Sequence, residues 1–170
     1  KVYSVDHFVA AGETISAPKM ETFSGGKGLN QSVALARAGA CVYHAGAIGP
    51  DGEELREILR DAGAHTDYLQ QLDVANGHAV IQVTPQGQNC IIVCPGANGA
   101  VSAEYIDGVL AHFGAGDLLL VQNETSNVPH AIRAAKARGL RVAFNASPIS
   151  AALLADYPLD LVDYYLINEV

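Results

Sequence analysis

The sequence predicts an α/β fold in which a parallel sheet is covered by helices, and three observations point there. From Ser102 onward, stretches of helical period alternate with short apolar runs, the pattern of strands joined by crossover helices. Upstream, glycine-rich turns stand directly before two further helical patterns. The 170 residues, 49% of them hydrophobic, suffice for one real core and are too few for two comfortable domains.

Taken in order, Ser24-Gly25-Gly26-Lys27-Gly28 opens a helix whose apolar face is Leu29, Val33 and Ala36 and which ends at Gly39. Cys41–Ile48 reads as a strand running into the turn Gly49-Pro50-Asp51-Gly52. A helix then follows from Asp51, with Leu55, Ile58, Leu59 and Ala62 on one face and charged residues on the other. Asp51 is suited to cap its start and Gly63 to close it. Ala79–Val83 and Asn89–Cys94 are β-branched runs flanking Thr84-Pro85-Gln86-Gly87-Gln88, which predicts a hairpin. Helices over Ser102–His112, Val128–Arg138 and Ser150–Asp156 then alternate with strands over Asp117–Gln122, Arg141–Asn145 and Tyr164–Asn168. Parallel strands would bring Glu124, Asn145 and Asn168 to one sheet edge, the edge where ligands of open α/β sheets sit.

Composition removes several function classes. A net charge of −8 with only 10 Lys plus Arg lacks the concentrated basic face that nucleic acid requires. No run approaches the roughly 18 apolar residues of a membrane span, and Lys1–Asp6 lacks the pattern of a signal peptide, so the expectation is a cytoplasmic protein without a membrane partner. Cys41, Cys90 and Cys94 are odd in number and are expected to be ordinary buried thiols rather than a disulfide framework. No histidine or carboxylate stands at metal-ligand spacing beside them, so no metal site is assigned. Arg133, Lys136, Arg138 and Arg141 gather near one helix end, where they complement its dipole. Lys1 is not an initiator methionine and Tyr164–Val170 runs out without a cap or closing turn, so the chain reads as the front portion of a larger domain.

The glycine loop carries the chemistry. It is not a P-loop, since Glu21 stands where that motif's first glycine would be and no Ser or Thr follows Lys27. Its glycines let a ligand approach the backbone, and amide N–H groups at a helix start favour oxygen-rich partners. Lys27 adds a point charge, while Asn30 both donates and accepts, which suits neighbouring hydroxyls on a sugar. The spacing of three keeps both on one side of the first turn. A tight turn with a solvated lysine uses the same residues. Glu124 also fits a loop acid or helix cap, and Asn145 and Asn168 fit simple strand ends.

The run Gly25-Gly26-Lys27-Gly28-x-Asn30-Gln31, continuing through Val33–Ala40 to Ile48-Gly49-x-Asp51-Gly52, resembles the N-terminal signature of the ribokinase family of carbohydrate kinases, closest to its ribose-phosphorylating members. The resemblance extends over Gly12-Glu13-Thr14, Pro95-Gly96-Ala97-Asn98, Leu120–Glu124, Asn145-Ala146-Ser147-Pro148 and Asn168-Glu169. It implies one partial domain over residues 1–170, with lid segments at about 1–22 and 77–96 that cover the sugar and often pair two subunits into a homodimer. It implies that Gly25, Gly26, Lys27, Asn30 and Glu124 hold sugar hydroxyls and that Asn168 lies near the nucleotide phosphates. The implied reaction is ATP-dependent phosphorylation of a sugar hydroxyl, D-ribose to ribose 5-phosphate, with Mg²⁺ and, in many relatives, K⁺. Other sugar or nucleoside kinases of the family, or a catalytically silent sugar-binding or regulatory module, are the alternatives.

The family places its catalytic aspartate in a Gly-Ala-Gly-Asp run near the end of a longer chain, where the amides open a helix and face the transferred phosphoryl charge. Gly114-Ala115-Gly116-Asp117 spells the same letters, but Leu118-Leu119-Leu120-Val121 follows and reads as a buried strand. Asp117 is therefore read as a decoy, with the catalytic base expected beyond Val170.

Overall fold

The computed structural model describes residues 1–148 and 151–167. In chain order its elements are β1 (Val2–Ser4), β2 (Lys19–Glu21), α1 (Lys27–Arg37), β3 (Gly46–Ile48), α2 (Glu53–Asp61), β4 (Leu69–Gln71), β5 (His78–Val83), β6 (Asn89–Cys94), α3 (Ala103–Leu110), β7 (Leu118–Gln122), α4 (Val128–Ala137), β8 (Arg141–Asn145), α5 (Ala151–Asp156) and β9 (Tyr164–Leu166). The body carries parallel strands in two groups, β3 beside β4, and β7-β8-β9. A separate sheet, ordered β2-β1-β5-β6, is built around the antiparallel hairpin of β5 and β6.

The core explains the alternation. β8 lies between β7 and β9, and its Val142 and Phe144 are fully buried, as expected for a strand covered on both faces. α4 turns Val128, Ala131, Ile132 and Ala135 into the same core, a stripe at helical spacing. α3 is started by Ser102, whose side chain accepts from the Tyr105 N–H at 3.1 Å, and it buries Ile106 and Leu110. A second cluster gathers Leu29 of α1, Ile48 of β3, Leu59 of α2 and Leu69 of β4. Tyr105 ties the two clusters together by accepting from the Gly46 N–H at 2.8 Å, and burial raises its phenol above the usual range.

Several expectations change. Only Gly46–Ile48 of the Cys41–Ile48 run is a strand; Tyr43 makes one isolated bridge to His65, and the ladder resumes where Ala47 and Ile48 enter the core. Gly52, not Asp51, precedes α2, because the Asp51 carboxylate instead accepts from the Asn76 N–H at 2.8 Å. Asn76 in turn accepts from the Gly49 N–H at 3.2 Å, so Asp51 fastens the crossing from which β5 leaves the body. The cysteines are not buried: Cys41, Cys90 and Cys94 are all exposed. Cys90 and Cys94 lie on β6, an edge strand exposed along its whole length, so their apolar neighbours bring no cover.

The basic group beside α4 stitches elements together rather than only facing the helix end. Lys136 pairs with Asp163 at 2.9 Å, and Arg138 donates to the Ala111 carbonyl at 3.0 Å. Arg141 donates to the Tyr164 hydroxyl at 3.3 Å. Asp163 also accepts from the Val142 N–H at 2.7 Å; its hydrogen bond to Lys136, with that second one, holds its carboxyl below the usual carboxylate range. Among the described residues, no helix is long and apolar enough to cross a membrane.

Candidate functional site

The start of α1 meets the end of β7. Gly26 stands before α1 with φ 106°, a left-handed conformation that side chains resist, and its carbonyl accepts the Asn30 N–H at 3.0 Å. That turn makes Lys27 the first helical residue and sends its ammonium to Glu124, where Nζ donates to Oε1 at 2.7 Å. Glu124 lies two residues past β7, in a segment fastened from below: the Ser126 N–H and the Thr125 hydroxyl both donate to the Asn98 carbonyl at 3.0 Å. Asn123 donates to the Pro148 carbonyl at 2.7 Å and accepts from the Tyr157 hydroxyl.

The Lys27 and Glu124 side chains remain 39% and 32% exposed. An ion pair this open adds only about 0–1 kcal/mol to stability, so folding alone gives little reason to hold the two groups together. It leaves two further ammonium donors beside carboxylate acceptors at the carboxyl edge of a parallel sheet. Asn30 is exposed one turn further along α1, and among the described residues its side chain makes no hydrogen bond. Together these groups match a polyol, whose hydroxyls can accept from the ammonium and donate to the carboxylate.

The remaining residues divide clearly. Gly25 is exposed with open space about it. Asn145 ends β8 level with Gln122 of β7, but its side chain accepts from the Ser147 N–H at 3.2 Å and so closes a local turn. Asn168 lies outside the described residues. Asp117 stands just before β7, at the end of that strand away from Glu124. Its carboxylate accepts from the Gly114 N–H at 2.9 Å and the Gly114 carbonyl accepts from the Asp117 N–H at 3.1 Å, so Gly114–Asp117 forms a tight turn into a strand rather than a helix start.

Beneath the glycine loop lie Gln31 and Gln122, which stand in the motif runs, and Ser32 and His44, to which the sequence assigned no role. Gln122 donates through Nε2 to Oε1 of Gln31, and Ser32 shares a 2.7 Å hydrogen bond with Nδ1 of His44. Burial lowers the His44 pKa. The place of a Cβ at Gly28 lies 3.4 Å from Gln122 Oε1 and 3.8 Å from the His44 ring, so α1 packs against both. The available signal was Gln122 itself, a polar residue ending an apolar strand. No group of three His, Cys, Asp or Glu side chains able to hold a metal ion occurs among the described residues.

Residues 1–169 match the family model described as pfkB family carbohydrate kinase. Ribokinase of Haemophilus influenzae is 35% identical over 173 residues, covering 99% of this chain and 56% of the relative. Deoxyribokinase of Salmonella typhi is 31% identical over 163 residues, covering 93% of this chain and 53% of the relative. The crystal structure of ribokinase from Cryptococcus neoformans var. grubii serotype A in complex with ADP superposes with a TM-score of 0.83 at 35% identity, covering 99% of this chain and 53% of that one. The chain thus spans about half the length of the relatives it matches.

Proposed function

The chain belongs to the pfkB family of carbohydrate kinases, and from that premise we propose that it forms the sugar-holding part of a cytoplasmic ATP-dependent kinase whose acceptor is D-ribose. The observation that carries this reading is the 2.7 Å contact between Lys27 and Glu124, made across 97 residues of chain at the carboxyl edge of the sheet. Lys27, Asn30 and the amides about Gly25 and Gly26 donate to the sugar oxygens, while Glu124 accepts from a hydroxyl. Holding several hydroxyls at once fixes the remaining one for in-line attack on a phosphoryl group, so that binding energy is converted into orientation. ATP supplies the phosphoryl group, and the motif match assigns Asn168 to the nucleotide side. Mg²⁺ would supply neutralisation of phosphate charge, and no residue described in this chain is assigned to hold it or K⁺.

The β2-β1-β5-β6 sheet serves as the lid over the sugar, and its edge strand β6 pairs two copies into a homodimer. Ile91, Ile92 and Val93 on that strand are each more than half exposed, which favours a covering partner. Deoxyribose is the second acceptor to weigh, because a deoxyribokinase stands among the relatives at 31% identity.

Calorimetric titration of the intact protein with ribose and 2-deoxyribose tests the reading. The expected result is ribose binding that Lys27→Met and Glu124→Gln each weaken by about tenfold or more, the range for a lost charge-assisted hydrogen bond. Unchanged affinity in both variants overturns it, and tighter binding of the deoxy sugar moves the acceptor to deoxyribose.

A further inference from the structure

We infer that Gln122 and Gln31 form a positioning brace, which sets the separation of Lys27 from Glu124 and through it the affinity of the site, without either glutamine touching the sugar. The inference rests on the sugar-site reading above for its functional consequence and on independent geometry for its structure.

Lys27 and Glu124 belong to different elements, and each lies at the end of its own: Lys27 opens α1, and Glu124 follows β7. An ion pair with both partners about a third exposed is too weak to hold a helix against a strand. Something beneath must do so. Gln31 stands one turn along α1 from Lys27, and Gln122 is the last residue of β7, two before Glu124. Their amides meet, Gln122 Nε2 donating to Gln31 Oε1, so each joins the same two elements one layer below the ion pair. Both are partly buried, so the bond is shielded from water that would otherwise exchange with it.

The layer is completed by groups that fix where the glutamines stand. Gly28 faces Gln122 Oε1, which lies 3.4 Å from the place of a Cβ, so α1 packs directly on this amide. The His44 ring faces the same side of Gly28, 3.8 Å from the place of a Cβ, and it receives α1 through the 2.7 Å hydrogen bond with Ser32. The second turn of α1 is thus held at two points, by β7 through Gln31 and by the segment before β3 through Ser32. A brace acts on bound sugar and on the reacting sugar alike, so its loss raises KM and leaves kcat nearly unchanged.

The test compares the intact protein with Q31M, Q122M and the double variant Q31M/Q122M. Methionine keeps the length of glutamine and removes its hydrogen bonding. Each single variant leaves one amide without its partner and is expected to raise KM for ribose about tenfold, with kcat within about twofold. The double variant replaces both partners by apolar groups of similar shape and is expected to return KM to within about threefold of the parent. Singles that leave KM unchanged, or a double variant at least as impaired as the product of the two singles, overturn the brace; the latter result would mean that a glutamine touches the sugar itself. A crystal structure of Q122M without sugar gives a second reading. The brace requires the Lys27–Glu124 separation to open beyond about 4 Å, and retention of the ion pair contradicts it. If Lys27→Met and Glu124→Gln leave ribose affinity unchanged, the sugar-site reading fails alone, and that crystal structure still judges the brace.

Discussion

Burial holds His44 below the usual imidazole range, and its Nδ1 lies 2.7 Å from the Ser32 hydroxyl under the glycine loop. The unfolded chain takes up a proton there near pH 6.5, the folded chain only at lower pH. The contribution of His44 is therefore complete above about pH 6.5 and is lost as the pH falls toward the folded value. Thermal melts near pH 7.5 and about pH 5 should show a smaller acid loss in His44→Gln than in the parent. An equal loss in both would mean that this ring does not titrate on unfolding. Glu13 carries a separate, exposed shift: the Ala10 N–H, then His7, hold its carboxyl low. At Gly28, an alanine methyl would stand in ordinary contact with Gln122 Oε1, 3.4 Å away.

Elements with a long period or a distinct cap were legible. The α3 start is the clearest case: Ser102 takes the cap position, and Ser102→Ala is expected to lower stability by about 1 kcal/mol in denaturant unfolding. A change within a few tenths of a kcal/mol would show that the cap is redundant. The body strands β7 and β8, helix α4 and the β5–β6 hairpin also lie within a residue or so of where the pattern puts them. β1, β2 and β4 are three residues each, too short to carry an alternation, and exist because a neighbour in space completes their ladders. Asp51 has the composition of a cap, yet tertiary geometry offered it the Asn76 N–H instead. Apolar company suggested that Cys90 and Cys94 were buried, because a sequence does not reveal that a strand will be an edge. In the candidate site, the glycines, Lys27, Asn30 and Glu124 were recognisable as motif residues. The pairing of the layer below them was not legible, since Gln31, Ser32, His44 and Gln122 become partners only through the packing of α1 on β7 and on the segment before β3.

Across the whole molecule, a body of parallel strands and a small mixed sheet meet at the Gly49, Asp51 and Asn76 crossing, with Lys27 and Glu124 at the rim of the body. The small sheet ends in β6, whose Ile92 is 64% exposed. If that strand pairs two copies, Ile92→Lys should convert dimer to monomer in sedimentation velocity while leaving the melting temperature of the body unchanged. A parent protein that is already monomeric would remove the homodimer from the account. The family places the chain among carbohydrate kinases, and the proposed sugar site lies at the Lys27–Glu124 rim. The most direct test is a crystal structure of the intact protein with D-ribose. The account predicts sugar hydroxyls within about 3 Å of Lys27 Nζ and of a Glu124 carboxylate oxygen, with Asn30 on the same sugar. Ribose bound elsewhere, touching neither Lys27 nor Glu124, would contradict it.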